Sequence, residues 1–141
     1  MTVWKRAGRE PRALIQEWLS ELSRLAALRG DRIEMRVNRC WVAFRSQTQR
    51  RVFAEIRPSR RRVEVFILPE RRNLSDPSGI ARQAPRTQGW NWFRTKFHIA
   101  GNGHARAAFH LIRQSYEFPG HAIPNSARRK TRGRQGRIVP G

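Results

Sequence analysis

Acidic residues are scarce in this sequence: 10 Asp and Glu stand against 30 Lys and Arg in 141 residues, a formal net charge of +20. A chain this cationic repels itself unless a polyanion neutralises it, which argues against cationic partners or substrates. Lysine is nearly missing as well. It occurs only as Lys5, Lys96 and Lys130, so 27 of the 30 cations are arginine. A GC-rich genome would explain arginine in place of lysine, but not the shortage of acids. Arginine also differs in chemistry, since its planar fork grips phosphate bidentately and stacks on bases.

Cysteine occurs once, as Cys40. No internal disulfide is possible, and a cysteine-based zinc cluster is excluded. Cys40 lies between Arg39 and Trp41 at the start of a strand-like run, where a buried small hydrophobe is expected. No apolar run of about 18 residues exists, so no transmembrane helix and no membrane partner is expected. The N-terminal MTVWKRAGREPR has no apolar signal-peptide core. The expected location is the cytoplasm of a prokaryote.

The hydrophobic fraction of 38% is low, but the apolar residues concentrate between Leu14 and Phe118. Residues 1–10 read as a basic arm, 11–119 as a single domain, and 120–141 as a basic tail expected to be disordered without a partner. Pro11 suits the first turn of a helix. From Arg12 to Arg29, Leu14, Trp18, Leu22 and Leu25 recur at helical spacing, widened by Ile15, Leu19 and Leu28, and Gly30 is a stop. The period then falls to two. Segments 33–37, 41–45, 51–58 and 61–69 read as strands joined by short turns, with Val52, Ala54 and Ile56 on one face and Val63, Val65 and Ile67 on another. Residues 70–89 form a long basic loop, and a further strand runs from Thr95 to Ile99. Asn102 is placed to cap a second helix in which Ala105, Ala108, Phe109, Ile112 and Tyr116 share a face. The expected fold is α+β: an antiparallel meander of about four to five strands flanked by an N-terminal and a C-terminal helix.

Two clusters combine cations with features that suit nucleic acid. Arg57, Arg60, Arg61 and Arg62 crowd the turn between two strands, where they can track phosphates. Trp90 and Trp92 adjoin Arg94 and Lys96, and aromatics interleaved with cations can stack on unpaired bases. Arg71 and Arg72 in the basic loop extend the charge, as do Arg128, Arg129, Lys130, Arg132 and Arg134 in the tail. The competing structural readings are a solvated charge run and a core role for at least one tryptophan.

No catalytic constellation stands out, and no cofactor is expected. His98, His104, His110 and His121 lack metal-ligand spacing. Glu55 and Glu64 on neighbouring strands are the acids a metal-dependent nuclease would need. Such an enzyme also needs a lysine beside them on a defined strand pair, and the sequence shows none there. A cross-strand ion pair with Arg57 or Arg62 is the better expectation. Tyr116 and Glu117 read as structural, the first on the apolar face and the second paired with an arginine.

The layout and two motifs, Phe53-Ala54-Glu55-Ile56-Arg57-Pro58 and Leu111-Ile112-Arg113-Gln114-Ser115-Tyr116-Glu117, resemble the uncharacterised C-terminal domain of bacterial and archaeal "predicted transport protein" sequences. The resemblance covers roughly residues 10–118 and rests mostly on core positions. The family label is not evidence of transport, because a chain without a membrane segment cannot form a permease. Relatives of that family sit beside nuclease-like domains, which implies an accessory role in a nucleoprotein or nuclease assembly. It carries over no catalytic residue. The sequence as a whole points to a protein that binds RNA or DNA, with a nucleic-acid-processing enzyme as the alternative.

Overall fold

A computed structural model describes residues 1–85, 93–101 and 103–119. Helices α1 (Val3–Arg6) and α2 (Arg9–Ala27) lead into strands β1 (Ile33–Val37), β2 (Val42–Ser46), β3 (Arg51–Pro58) and β4 (Arg62–Ile67). A short 3-10 turn (Arg71–Asn73) and strand β5 (Arg82–Gln83) precede β6 (Thr95–Ala100) and α3 (Ala105–Glu117). The order in the single sheet of six strands is β1-β2-β3-β4-β6-β5, with every pairing antiparallel. The α+β class and the two flanking helices match the sequence reading. The extra strand is β5, whose two residues are too few to show alternation.

Helix α2 forms because its apolar residues recur every three or four positions, which buries Leu14, Ile15, Trp18, Leu22 and Ala26 along one stripe. Pro11 sits in the first turn, where its missing N–H is harmless. The helix ends at Ala27, so Leu28 falls off the stripe and is 86% exposed rather than part of the core. Gly30 adopts φ +72°, and the N–H groups of Gly30 and Asp31 bond to the carbonyls of Ala27 and Ala26 in a Schellman closure.

The sheet has one face under the helices and one face that no described helix covers. Register places Val42, Phe44, Ala54, Ile56, Val63, Val65, Ile67, Phe97 and Ile99 on the covered face, where all are buried. A β-bulge interrupts β3: Ala54 opposes Phe44, but Val52 opposes Arg45. Val52 is therefore on the open face, not with Ala54 and Ile56 as strict alternation predicts. The extra residue is Phe53, which turns inward and meets Phe44 and Tyr116 at centroid distances of 6.2 and 5.1 Å.

Helix α3 packs on β3, β4 and β6 and buries Ala108, Phe109, Leu111, Ile112, Ser115 and Tyr116. Its cap position is His104, and Asn102 lies outside the described residues. The polar residues of its last turns act as struts. Ser115 Oγ donates to the Phe53 carbonyl at 2.6 Å and accepts from the Leu68 N–H at 3.0 Å. Gln114 pairs with the backbone of Ser75 at 2.8 and 2.9 Å. Glu117 accepts from Arg29 at 2.6 Å and Arg113 at 3.2 Å, the arginine pairing expected of it.

Two further expectations are corrected. Cys40 is exposed, because it lies in the β1–β2 turn that Asn38 Oδ1 organises by accepting from the N–H groups of Cys40 and Trp41. Residues 1–10 are not a free arm: Val3 and Ala7 are buried, and Gly8 N–H bonds to the Ser59 carbonyl at 2.9 Å. Among the described residues, no helix is long and apolar enough to cross a membrane.

Candidate nucleic-acid interface

The open face of the sheet carries cross-strand rows of side chains, because antiparallel partners share a face and alternate residues leave it. One row crosses all the strands as Arg36, Ala43, Glu55, Phe66, Lys96 and Arg82. The second contains Arg57, Glu64 and His98 in register. Phe66 belongs here because it alternates out of phase with Val65 and Ile67.

Arg57 is the centre of this surface. Its guanidinium carbon lies 4.9 Å from the Phe66 ring centroid and 5.8 Å from that of Trp41. Two aromatic rings hold one exposed cation on a flat face, within the range where the ring quadrupole attracts it. Trp41 and Phe66 were not singled out from the sequence. Alternation alone marks them as outward-facing, but only the strand order puts both beside Arg57.

The acids on this face are largely compensated. Glu64 pairs with Lys96 at 3.5 Å, not with Arg57 or Arg62 as anticipated. The lysine that the sequence did not place near the acids thus arrives from β6, a strand separated from β4 by the basic loop. Glu55 is 9% exposed, and burial pushes its carboxyl up although the nearby Arg57 charge pulls it down. Glu55 and Glu64 lie on a diagonal of the β3–β4 pair. Among the described residues, no three His, Cys, Asp or Glu side chains are grouped so as to hold a metal ion.

The remaining predicted cations do not form one patch. Arg60, Arg61 and Arg62 sit exposed at the β3–β4 turn, and none has an acidic partner among the described residues. This turn is braced from behind, because Gly8 packs directly on the Arg60 backbone. Arg71, Arg72 and Arg94 lie at the other end of β4, roughly 20 Å away at the rise of a strand. There Glu70 takes Arg72 at 2.8 Å and Arg94 at 3.5 Å, leaving this second cluster partly neutralised. A hollow of about 270 Å³ beside it is floored by Ala84 and Phe93. Trp90, Trp92, Arg128, Arg129, Lys130, Arg132 and Arg134 lie outside the described residues.

No protein-family model, curated protein or solved structure matches the chain.

Proposed function

We propose that this chain binds nucleic acid, RNA or DNA, through the open face of its sheet and the arginines at the rim of that face. The observation that carries the reading is Arg57, beside Phe66 and Trp41 on a face free of described helices, next to a turn of three arginines that have no acidic partner among the described residues. The surplus of 20 positive charges supports it, since a polyanion is the partner that relieves the self-repulsion. Phosphate contacts by Arg60, Arg61 and Arg62 would supply affinity without base information. The role is accessory or structural, in the cytoplasm, within a larger nucleoprotein or nuclease assembly of the kind the family resemblance implies.

Titration of RNA and DNA oligonucleotides over a range of salt tests the reading. If Z phosphates are neutralised, log K falls with log salt at a slope of about −0.7Z to −0.9Z. Replacing Arg60, Arg61 and Arg62 with Gln is expected to weaken binding on all sequences alike and to flatten that slope. Absence of binding at low salt overturns the proposal. Cleavage of the oligonucleotides with Mg²⁺, abolished by Glu55→Gln or Glu64→Gln, would replace it with the enzyme reading.

A further inference from the structure

The open face is more specific than a field of positive charge. The Arg57 guanidinium carbon lies 4.9 Å from the Phe66 ring centroid and 5.8 Å from that of Trp41, so a cation and two rings share one exposed cluster. Arg57 is exposed, and the two rings beside it, Trp41 and Phe66, are half-buried, so the cluster is open to a ligand. Lys96 flanks Phe66 on the side away from Glu55, within reach of a phosphate that follows the row. Six strands span about 24 Å at ~4.8 Å spacing, a platform for a handful of nucleotides.

This shape disfavours a duplex. Sequence-reading proteins enter the major groove with a helix or a two-stranded ribbon. The two long helices, α2 and α3, pack on the opposite side of the sheet and cannot enter a groove from here. A duplex also keeps its base planes stacked on one another, which leaves an exposed cluster of a cation and two rings nothing to stack against. An unpaired base supplies that plane, and arginine planes are a known base-stacking surface.

Resting on the nucleic-acid reading above, we propose that the open sheet face takes single-stranded nucleic acid, with one base stacked on the cluster of Arg57, Phe66 and Trp41. Lys96 and the turn arginines meet the flanking phosphates. Glu64, already paired with Lys96, leaves little uncompensated negative charge to repel the strand.

The test compares fluorescently labelled single strands of RNA and DNA with the corresponding duplexes by anisotropy, using the full chain, Arg57→Lys and Phe66→Leu. Arg57→Lys keeps the charge and loses the plane. It is expected to lower single-strand affinity about tenfold, with duplex affinity and the salt slope unchanged. Phe66→Leu removes one ring of the cluster and is expected to act in the same direction; thermal melting of both variants verifies that the fold persists. Single strands of both sugars should bind the parent chain more tightly than duplexes do. Equal affinity for duplex and single strand, or an Arg57→Lys protein that binds single strands as the parent does, overturns this proposal while salt-dependent binding itself survives. Loss of all binding at low salt removes both.

Discussion

Tyr116 donates its hydroxyl proton to Asp31 Oδ2 at 2.7 Å, closing the end of α3 onto the turn that follows α2. The same oxygen accepts from Ser46 Oγ at 2.6 Å, while Oδ1 accepts from the N–H groups of Arg32 and Thr48 at 2.7 and 2.9 Å. One carboxylate therefore joins the C-terminal helix, the α2–β1 connection and the β2–β3 hairpin. Arg29 adds its guanidinium over the Tyr116 ring at 5.5 Å.

Tyr116→Phe is expected to cost roughly 1–3 kcal/mol, the range for losing a hydrogen bond to a charged group. The ring contact with Phe53 remains, so the loss isolates the hydroxyl. Urea denaturation measures it. A variant as stable as the parent would show that the other three donors suffice for Asp31.

Stability should fall in acid. Burial alone would raise the Asp31 carboxyl, but the bonds from Ser46, Thr48, Tyr116 and Arg32 outweigh it and hold the group well below the usual carboxylate range. Glu117 is also lowered, because Arg29 and Arg113 outweigh its burial. Both carboxylates bind protons more weakly folded than unfolded. Their contribution is complete above about pH 5 and is lost as pH falls through 4 and below. At the alkaline end, burial and the Asp31 bond push Tyr116 up to about 12, so its contribution is present below about pH 10 and lost as pH rises toward that value. Melting temperature against pH reads both limbs, and Asp31→Asn is expected to flatten the acid one.

Gly8 has no room for a side chain. A Cβ there would lie 1.9 Å from the Arg60 carbonyl oxygen, which is backbone and cannot swing aside. Gly8→Ala should separate the α1–α2 junction from the β3–β4 turn and cost about 1–3 kcal/mol. Under the proposed function it should also weaken nucleic-acid binding, because the brace behind Arg60, Arg61 and Arg62 is lost. Thermal melting together with an oligonucleotide titration checks both effects, and unchanged values in both would mean that the turn stands without its brace.

Glu55 and Glu64, neighbours on the open face, should respond differently to substitution. Glu64→Gln loses the Lys96 pair and is expected to cost about 0.2–1 kcal/mol. Glu55 has its carboxyl raised by burial, so its ionised form is less favoured in the folded chain than in the unfolded one. A group raised in this way contributes stability below its unfolded value that is lost as pH rises through its folded value. Glu55→Gln is therefore expected to leave stability at pH 7 equal or higher and to remove that pH dependence. A large loss of stability in Glu55→Gln would mean that the Arg57 attraction outweighs the burial.

The sequence by itself determined the net charge, the element types and most of the covered face. Net charge needs no fold to be counted. The helical stripe from Leu14 to Ala26 and the two-residue alternation from Val63 to Ile67 are local periodicities that burial enforces directly. The polar struts of α3 were legible only in part: Glu117 needed an arginine, but nothing local named Arg29. Tertiary structure decided which distant residues share a surface. Lys96 reaches Glu64 because β6 pairs with β4 across a long connection, and no sequence spacing encodes that partner choice. The bulge moves Val52 to the open face and Phe53 to the core, since one extra residue reverses the pleat. Arg57 meets Trp41 and Phe66 only because β3 lies between β2 and β4, so strand order, a property of the whole sheet, made one arginine among 27 the centre of the site.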